Sequence, residues 1–476
     1  MNGITPPSRF ASPGPPGDGR HPTVSIVSVN YNGRRYLERF ITSVLAIDYP
    51  PSCHRLVLVD NASTDGSAAF VRQTFRQVHL LEARTNLGFA GGCNLGIRAA
   101  TSDYVVLVNN DTVVESDWLR GLVDVAESDP RAGLVGSKLL FLTPFLDVAL
   151  DTPVADAGVP NGPEGAAALM LHDARVVGCD YDKLMIRAGR LASSEDDGRP
   201  LHTLAAAARL AVPIARTDGP AVLVLTLRIP PSRGDRPVDV TVAGVVVGRL
   251  AVTPVAQTFR VEISRELVAR AARDMINNAG TVIDDEGRFG DRGIFEFDEG
   301  QYDVVADVPA LCGASVLLRR AMLEEIGGFD TRYFMYFEDV DLSWRARRAG
   351  WRVMYTPHSR LRHVHAASSR EGSPLWTFFV GRNHLFWLIK HGTARAAAEA
   401  VGAFYARATG DMLRTLGQRL VPGRRSASAT SAAIDRQIAR SLTRHLPGLL
   451  VSRYHSPKTD GTGRWTIVRN ERSSSV

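Results

Sequence analysis

The chain has 476 residues, of which 45% are hydrophobic and 22% are charged, and its formal net charge is +6. This composition is typical of globular proteins and excludes disordered, fibrous and collagen-like chains, while the length predicts two or three domains. The sequence has no charge-free apolar stretch of 18 residues, and its start lacks the apolar core of a secretory signal, so neither a transmembrane helix nor a signal peptide is predicted. The four cysteines are widely scattered, which argues against a zinc site or a disulfide framework and predicts a cytoplasmic location; they are Cys53, Cys93, Cys179 and Cys312.

The charges are distributed unevenly along the chain. Residues 342–476 hold 23 basic and 6 acidic side chains, so the positive surplus lies in the C-terminal part and residues 1–341 are net acidic. Such a basic region indicates a polyanionic partner, for which an anionic membrane, a lipid phosphate and a nucleic acid are the candidates, although a solvated basic surface explains the composition more simply. No nucleic-acid-binding motif accompanies the charge, so we expect no nucleic-acid partner.

The N-terminal third of the chain predicts alternating strands and helices. Residues 1–22 are rich in Pro, Gly and Ser and are predicted to be disordered. From Thr23 onwards, apolar runs with strand character alternate with segments of helical spacing, which is typical of a parallel α/β sheet. The predicted strands are 24–32, 55–63, 78–83 and 103–111, and the predicted helices are 34–47, 64–77 (capped by Thr64 or Asp65) and a segment that begins near residue 88.

Polar residues follow three of these apolar strands. Because ligands of parallel α/β sheets bind at the carboxyl ends of the strands, we expect the three clusters to converge on one site. The clusters are Asn30-Tyr31-Asn32, Asp60-Asn61 and Asn109-Asn110-Asp111.

Residues 145–272 lose the strand–helix alternation. Their short apolar runs predict antiparallel strands, including a hairpin with its turn near Ala243-Gly244, and we interpret the block as an inserted β-sandwich domain. The insert shows no aromatic cluster of the kind that stacks on sugars, so a structural role is favoured over polysaccharide binding, acceptor binding or oligomerisation.

Mixed α/β character returns at residues 273–392, and residues 393–476 are predicted to form basic amphipathic helices. The segment 376–392 mixes aromatic side chains with Arg382, His384 and Lys390. This pattern fits a helix at a membrane interface and fits a buried core helix equally well.

Three groups of residues could carry chemistry. Asp111 could hold a divalent metal at a strand end, although Asn and Asp also commonly end strands as turns. Glu338 and Asp339 could supply a general base, or they could cap the helix that they begin. His363 and His365 project to the same face of a strand and could reach one metal, although surface histidines are common.

Taken together and in order, five segments resemble the inverting glycosyltransferases of family 2, which have a GT-A fold. The resemblance covers about residues 23–142 and 273–392, and its details are most similar to the bacterial rhamnosyltransferase-like branch, which acts in cell-wall and surface polysaccharide synthesis. The segments are VSIVSVNYNGRRYLERFITSVL, LVLVDNASTDGS, TNLGFAGGCNLGIRAA, YVVLVNNDT and GGFDTRYFMYFEDVDLSWRARRAGWRV.

The resemblance implies a nucleotide-sugar site, a divalent metal and a catalytic base. Asp339 matches the base, with Glu338 as its neighbour. Asp111 matches the last carboxylate of the metal motif, whose first Asp this chain lacks, and implies Mg²⁺ or Mn²⁺. His363, with His365 as the second candidate, matches a further metal or diphosphate contact. The positions that match donor-binding residues are Asn30, Tyr31, Asn32, Asp60, Asn86, Asn109 and Asn110.

The acceptor side is implied by Gly313 and by Asp330, whose carboxylate is a possible hydroxyl contact. Gly91 and Gly92 either allow the backbone to approach the donor or allow close helix packing. The QxxRW sequence of processive synthases is missing, so transfer of one or a few sugars is expected. The chain also has no P-loop, which weighs against a phosphotransferase.

The resemblance therefore predicts a metal-dependent transferase that moves a sugar, with deoxythymidine-diphosphate rhamnose as the expected donor by family analogy only. The acceptor would be a glycan or a lipid-linked glycan at the inner face of the plasma membrane. The alternative is a carbohydrate-binding or scaffolding protein with a decayed transferase core, against which the retention of Asp60, Asp111 and Asp339 argues.

Overall fold

The computed structural model describes residues 21–152, 168–196, 199–231, 234–284, 288–365, 372–419 and 428–455. The predicted disordered N-terminus therefore lies almost wholly outside the described residues. The chain divides into two compact units. Unit 1 comprises residues 1–139, 278–292 and 302–476, and unit 2 comprises residues 140–277 and 293–301.

Strands and helices are numbered here in chain order. The strands are β1 (Val24–Asn30), β2 (His54–Asp60), β3 (His79–Glu82), β4 (Tyr104–Val108), β5 (Thr112–Val114), β6 (Ala132–Phe141), β7 (Phe145–Asp151), β8 (Leu169–Val176), β9 (Met185–Asp196), β10 (Arg199–Pro213), β11 (Ala221–Arg228), β12 (Arg236–Val242), β13 (Val245–Val252), β14 (Gln257–Ile263), β15 (Ala272–Arg273), β16 (Ile276–Asn278), β17 (Thr281–Ile283), β18 (Phe289–Asp291), β19 (Ala306–Asp307), β20 (Ser315–Arg319) and β21 (Arg352–His363). The helices are α1 (Arg34–Leu45), α2 (Ser67–Thr74), α3 (Gly88–Ala99), α4 (Trp118–Ser128), α5 (Arg265–Ala271), α6 (Arg320–Ile326), α7 (Glu338–Arg348), α8 (Pro374–His391), α9 (Ala394–Arg419) and α10 (Ser428–His455).

Unit 1 contains a mixed sheet with the strand order β19-β21-β6-β20-β4-β1-β2-β3. Strands β4, β1, β2 and β3 run parallel, and β20 lies antiparallel to β4. The apolar runs of β1 and β4 are buried on both faces, as strands of a parallel sheet covered by helices must be. The predicted parallel α/β sheet is confirmed, and Asn30 stands in register with Asp60 at the carboxyl ends of β1 and β2.

Helix α3 packs closely on β1 through small residues. A Cβ atom on Gly92 would lie 2.7 Å from Val29 Cγ1, and one on Gly96 would lie 2.2 Å from Val27 Cγ1. No larger side chain fits at these distances without a shift of the helix. Of the two explanations offered for Gly92, helix packing is therefore the one that the contacts support.

Unit 2 is built on an antiparallel sheet with the order β13-β12-β7-β10-β8-β11-β14. The hairpin between β12 and β13 turns at Ala243 and Gly244, which have φ values of 48° and 79°, as the sequence predicted. The antiparallel character of this segment is confirmed.

The strands of unit 2 form one continuous sheet. Strand β10 is 15 residues long and pairs with β7 along one part and with β8 along another. It therefore joins the strands on its two sides into one sheet. A Cβ atom on Gly248 of β13 would lie 3.3 Å from Val261 of β14, although these strands stand at opposite ends of the order. The sheet therefore curls around its own apolar core.

The C-terminal helices α8, α9 and α10 share an apolar core with α7 in unit 1. In α8, Phe386, Trp387 and Asn383 are at most 1% exposed. Of the two interpretations of this segment, the buried core helix is confirmed. None of the helices within the described residues combines the length and the apolar character that crossing a membrane requires.

Candidate active site

The polar ends of β1, β2 and β4 are joined by hydrogen bonds between their side chains. Asn30 Nδ2 donates to Asp60 Oδ1 (3.1 Å), and Asn110 Nδ2 donates to Asn30 Oδ1 (2.6 Å). Asp60 Oδ2 accepts the backbone N–H of Ser63 (3.0 Å), so both of its carboxylate oxygens are engaged. Asn30 and Asp60 are at most 3% exposed. The predicted convergence of the three strand ends is thus observed. We call the group Asn30, Asp60 and Asn110 the rim, and its buried hydrogen bonds make it rigid.

The residues that follow β1 line the outer side of the same rim. Asn32 has a φ of 52°, and its Oδ1 accepts the backbone N–H of Thr64 (2.8 Å). The Tyr31 side chain is 50% exposed, so its ring is open to solvent. A Cβ atom on Gly33 would lie 2.6 Å from Asn30 Oδ1, so a glycine is needed for the chain to pass the rim. This edge offers a flat ring and amide groups to a ligand.

A second group of amides organises the loop before α3. Asn86 Oδ1 accepts the backbone N–H of Gly88 (2.9 Å) and the Nδ2 of Asn61 (3.0 Å). Asn61 Nδ2 also donates to Gly88 O (3.0 Å), and Asn61 Oδ1 accepts the N–H of Leu87 (2.9 Å). The predicted donor-site residue Asn86 therefore holds its loop against the end of β2, next to the rim.

Gly88 of this loop is expected to tolerate no side chain. Its φ is 71°, and an added Cβ would lie 2.5 Å from the carbonyl oxygen of Phe334. For Gly88→Ala we expect a loss of about 2–4 kcal/mol in the free energy of unfolding, from the left-handed backbone and from overpacking. Thermal unfolding would measure the loss. The matched control is Gly66→Ala, since Gly66 has a φ of 81° but no atom within 4 Å of its Cβ position. Equal losses at the two positions would contradict the expectation.

Asp111 and His363 lie together beside the end of β4. His363 Nε2 is 3.3 Å from Asp111 Oδ1, and the backbone N–H of Val364 donates to Asp111 O (3.0 Å). Both side chains are less than a tenth exposed. Burial acts to raise the pKa of the Asp111 carboxyl, but the charge and hydrogen bond of His363 outweigh burial and lower this pKa. Asp111 is therefore a carboxylate at neutral pH.

The same residues decide whether a divalent metal fits this place. The donor set is one carboxylate with an imidazole beside it, and the ring of His365 is centred 6.1 Å from that of His363. Oxygen with imidazole nitrogen suits Mn²⁺ better than Mg²⁺, which prefers oxygen alone. Among the described residues, no three acidic, His or Cys side chains are already gathered as a metal site. The chemistry of the residues thus fits a metal that would complete its shell with ligands from the substrate and from water.

The Glu338-Asp339 pair begins helix α7. Asp339 Oδ2 accepts the backbone N–H of Gly313 (2.9 Å), and Asp339 Oδ1 accepts that of Val340 (2.8 Å). The carbonyl oxygen of the next residue, Ala314, accepts the N–H of Asn109 (3.0 Å). Gly313 and Ala314 thus connect Asp339 directly to the carboxyl end of β4. The predicted base and the predicted acceptor-wall residue Gly313 are in contact.

The two carboxyl groups of this pair differ in their surroundings. Glu338 is 4% exposed, and its Oε2 has no hydrogen-bond partner within the described part of the chain. Burial and the neighbouring Asp339 raise the pKa of Glu338 well above its usual range. Burial also raises the pKa of Asp339, although less, because two backbone N–H groups favour its carboxylate. Asp339 is only partly buried and can therefore be reached by a ligand.

Asp330 occupies a different environment from the other predicted residues. Its carboxylate forms an ion pair with Arg332, and its Oδ2 accepts from Lys390 Nζ (2.8 Å). The side chain is 12% exposed. Both oxygens are thus engaged in an ion cluster with Arg332 and with Lys390 of α8.

Sequence reasoning missed several residues that organise this site. Ser63 joins Asn30 to Asn32, because its Oγ accepts from Asn30 Nδ2 (3.0 Å) and from the N–H of Asn32 (3.0 Å). Arg382 and Asn383 of α8 bond to the loop that leads into Glu338. The available signal was a run of three polar residues, Arg382, Asn383 and His384, inside a mostly apolar helix.

Two stretches of the chain match family models. Residues 25–144 match the family described as "Glycosyl transferase family 2", and residues 289–382 match "Glycosyltransferase like family 2". The first stretch contains the rim and Asp111, and the second contains Gly313, the Glu338-Asp339 pair and His363. The matched residues thus include both sides of the candidate site.

Curated relatives resemble shorter parts of the chain. An N-acetylglucosaminyl-diphospho-decaprenol L-rhamnosyltransferase of Mycobacterium tuberculosis is 48% identical over 59 residues, which are 12% of this chain and 19% of the relative. An uncharacterized glycosyltransferase of Nostoc sp. is 33% identical over 117 residues, which are 24% of this chain and 35% of the relative. The chain thus covers about a third or less of the length of these relatives. Among solved structures, a mannosyltransferase from Pyrobaculum calidifontis in complex with GDP-Man and Mn²⁺ aligns over 90% of this chain and 88% of its own, at 15% identity and a TM-score of 0.39.

Proposed function

We propose that the protein is an inverting glycosyltransferase, because residues 25–144 match glycosyl transferase family 2 and residues 289–382 match glycosyltransferase like family 2. It would move one or a few sugars from a nucleoside diphosphate donor to a hydroxyl group of a glycan or a lipid-linked glycan. The observation that carries this proposal is the partly exposed Asp339 carboxylate, fixed by Gly313 N–H beside the strand ends where parallel sheets bind nucleotides.

The proposed chemistry needs one base and no covalent nucleophile. The acceptor oxygen forms a bond to the anomeric carbon while the bond from that carbon to the diphosphate breaks, and attack from the opposite face inverts the configuration. Asp339 takes the proton of the acceptor hydroxyl, and the diphosphate departs with the electrons of its bond. Burial raises the pKa of Asp339, which makes its carboxylate a stronger base than that of an ordinary Asp.

The donor would bind along the rim. In this proposal Tyr31, Asn32 and Asp60 would contact the base and the ribose, and the loop of Asn86 and Gly88 would lie beside the donor. Asp111, with His363 or His365, would hold a divalent metal, which when bound supplies positive charge for the diphosphate. Asn109 and Asn110 would fix the end of β4 beneath it through their bonds to Ala314 and Asn30.

The proposed donor sugar is rhamnose from deoxythymidine diphosphate rhamnose, and the proposed process is cell-wall or surface polysaccharide synthesis. The support is the Mycobacterium tuberculosis relative, whose name gives a rhamnosyl donor and a lipid-linked acceptor, over 59 residues. The basic residues after position 342 support a peripheral position at the inner face of the plasma membrane, where such an acceptor would be found. In this proposal residues 145–272 are an inserted domain and residues 393–476 a helical region that follows the transferase domain.

A panel of nucleotide sugars would test the proposed activity. The full chain is incubated with each labelled donor, Mn²⁺ and a lipid-linked glycan, and transfer of label to the acceptor is measured against release of free sugar. We expect transfer from one donor, with deoxythymidine diphosphate rhamnose first. Donor binding without turnover of any donor would instead favour a carbohydrate-binding protein with a decayed core.

Asp111→Asn should weaken the dependence on metal while leaving the fold intact. We expect the Mn²⁺ concentration for half-maximal stabilisation to rise by more than about 10-fold, since even the loss of a group that only supports a ligand costs that much. The shift of the melting temperature with Mn²⁺ measures this without any assay of activity. The control is Asp117→Asn, which removes an exposed carboxylate six residues further on. An unchanged Mn²⁺ response in Asp111→Asn would remove Asp111 from the metal site.

A further inference from the structure

The loop that leads into the Glu338-Asp339 pair is conformationally strained. Phe334, Tyr336 and Phe337 have φ values of 67°, 66° and 68°, and none of them is glycine. The left-handed conformation costs roughly 1–2 kcal/mol for each such residue. A loop of this kind persists only where its surroundings determine its conformation.

Asn383 of α8 fixes much of the conformation of this loop. It is fully buried, and its Nδ2 donates to the carbonyl oxygens of Tyr333 (3.0 Å), Met335 (2.8 Å) and Tyr336 (2.7 Å). Its Oδ1 accepts from Arg382 Nε (2.8 Å). Carbonyl oxygens only accept and a guanidinium only donates, so the chemistry of the partners permits a single orientation of this amide.

Arg382 completes the set of bonds from α8. It is 6% exposed, and its guanidinium donates to the carbonyl oxygens of Arg332 (3.0 Å) and Tyr333 (2.6 Å). Burial lowers the pKa of Arg382 to about 10, so the side chain stays charged at neutral pH. Its carbon atom Cζ lies 4.8–5.3 Å from the ring centres of Phe378, Phe379 and Phe386. The two residues together hold backbone carbonyls from Arg332 to Tyr336.

The held loop touches both sides of the candidate site. The carbonyl oxygen of Phe334 accepts the N–H of Ala90 (3.1 Å), and its ring stacks on Phe379 with centres 5.3 Å apart. Gly88 faces the same ring at the distance that excludes a Cβ atom. At the other end of the loop, the carbonyl oxygen of Phe337 accepts the N–H of Asp341 in the first turn of helix α7. The conformation of the loop therefore sets the position of Asp339.

We propose that Asn383, oriented by Arg382, is a positioning residue for the Asp339 base and for the loop at Gly88. It acts through the backbone of residues 333–337 and touches no substrate. The inference rests on the proposed transferase function for its catalytic consequence, whereas the ordering of the loop can be measured without it. A displacement of about 1 Å at a reacting group can cost 10²-fold in rate, so a small movement of this loop suffices.

Asn383→Asp is the isosteric test, because it turns a donor that faces three carbonyls into an acceptor. We expect kcat for sugar transfer to fall by about 10- to 100-fold while the KM for the donor changes less than about threefold. Hydrogen exchange of the backbone amides in residues 333–341 should become faster. Asn383→Ala removes the same bonds without adding a charge and serves where the Asp variant does not fold.

The matched control is Asn94→Asp. Asn94 Nδ2 donates to Phe329 O (2.8 Å), and its Oδ1 accepts Phe329 N–H (2.9 Å). Asn94 therefore binds the backbone shortly before the strained loop, but not the loop itself. This variant should keep the exchange rates of residues 333–341 and most of kcat. Unchanged exchange in both Asn383 variants, or an equal loss of kcat in Asn94→Asp, would overturn the inference. A wild-type chain that transfers no sugar would instead refute the proposed function, and the exchange measurement would still decide the role of Asn383.

Discussion

Replacing Asp339 by Asn should lower the rate of sugar transfer by about 10²- to 10⁴-fold, the contribution that a general base makes. The Asn side chain keeps its shape and can still accept the N–H of Gly313, but it cannot take the proton of the acceptor hydroxyl. The proposed donor site lies on the rim at Asn30, Asp60 and Asn110 and does not include Asp339, so donor affinity should stay within a few-fold of the wild type. Single-turnover transfer and calorimetric donor binding measure the two quantities.

Glu338→Gln is the matched control for that variant. Glu338 is buried beside Asp339, and both burial and that neighbouring charge raise its pKa well above the usual range, which favours the neutral carboxyl that glutamine resembles. Removing it should change transfer far less than Asp339→Asn does. If Glu338→Gln abolished transfer and Asp339→Asn did not, the roles of the two carboxyls would be reversed.

The pH dependence of kcat/KM provides a further check on the same residue. The base acts only when deprotonated, so the rate should rise with pH and level off above the pKa of Asp339 in the free protein. Because burial raises that pKa, the rising limb should lie at higher pH than an ordinary Asp would give. The limb should be absent from the residual activity of Asp339→Asn.

The rim could be predicted from the sequence because each of its residues follows an apolar strand. Val24–Asn30 and Tyr104–Val108 are recognisable as buried strands, and the topology of a parallel sheet then brings their polar ends together. Predicting Asn30 and Asp60 required no knowledge of contacts between residues distant in the chain. The Glu338-Asp339 pair was located by resemblance, and its link to β4 through Gly313 and Ala314 became visible only in the structure.

The features of the site and of unit 2 that could not be predicted depend on contacts between residues far apart in the chain. The resemblance offered Asp330 as a hydroxyl contact, and the structure adds that Lys390, 60 residues later, donates to its carboxylate. No local sequence pattern indicates that partner. Arg382 fitted a helix at a membrane interface and a core helix equally well, and the burial of α8 in the structure distinguishes the two. The bonds of Arg382 and Asn383 to carbonyls of residues 332–336 were likewise not evident from the sequence. In unit 2 the alternation of strands was evident, whereas the length and double pairing of β10, which join the strands into one curled sheet, were not.

The largest effect on stability is expected at Asp341, in the ion cluster that joins α7 to α8. Its side chain is fully buried, and its carboxylate accepts from Arg345 Nε (2.8 Å) and Lys390 Nζ (2.6 Å) and lies 2.7 Å from His391 Nε2. Asp341→Asn keeps the shape but leaves buried cations with less compensating charge. Breaking a buried pair in this way typically costs about 3–5 kcal/mol of the free energy of unfolding.

The control for this variant is Asp239→Asn, which breaks the pair with Arg249, whose side chain is 72% exposed. An exposed pair contributes little, so the melting temperature should change only slightly. A second variant, Lys390→Met combined with Asp341→Asn, should be more stable than Asp341→Asn alone, because it removes a buried cation that has lost one of its two carboxylate partners, while Asp330 keeps its ion pair with Arg332. Similar melting temperatures for Asp341→Asn and the wild type would contradict the role of the cluster.

The ionisation of Asp341 determines how the difference in stability between the wild type and Asp341→Asn depends on pH. Burial opposes ionisation, yet Arg345, Lys390 and His391 together hold the pKa of Asp341 well below its usual range in the folded protein. Since an unfolded Asp titrates near about 3.9, the folded state binds fewer protons below that pH. The stabilisation by Asp341 is therefore fully present above about pH 5 and is lost as the pH falls towards its folded pKa. The melting temperature of Asp341→Asn should lie below that of the wild type by an amount on the order of several degrees at neutral pH, and the two should converge as the solution is acidified. A difference that instead grew on acidification would show that Asp341 is not the charged centre of this cluster.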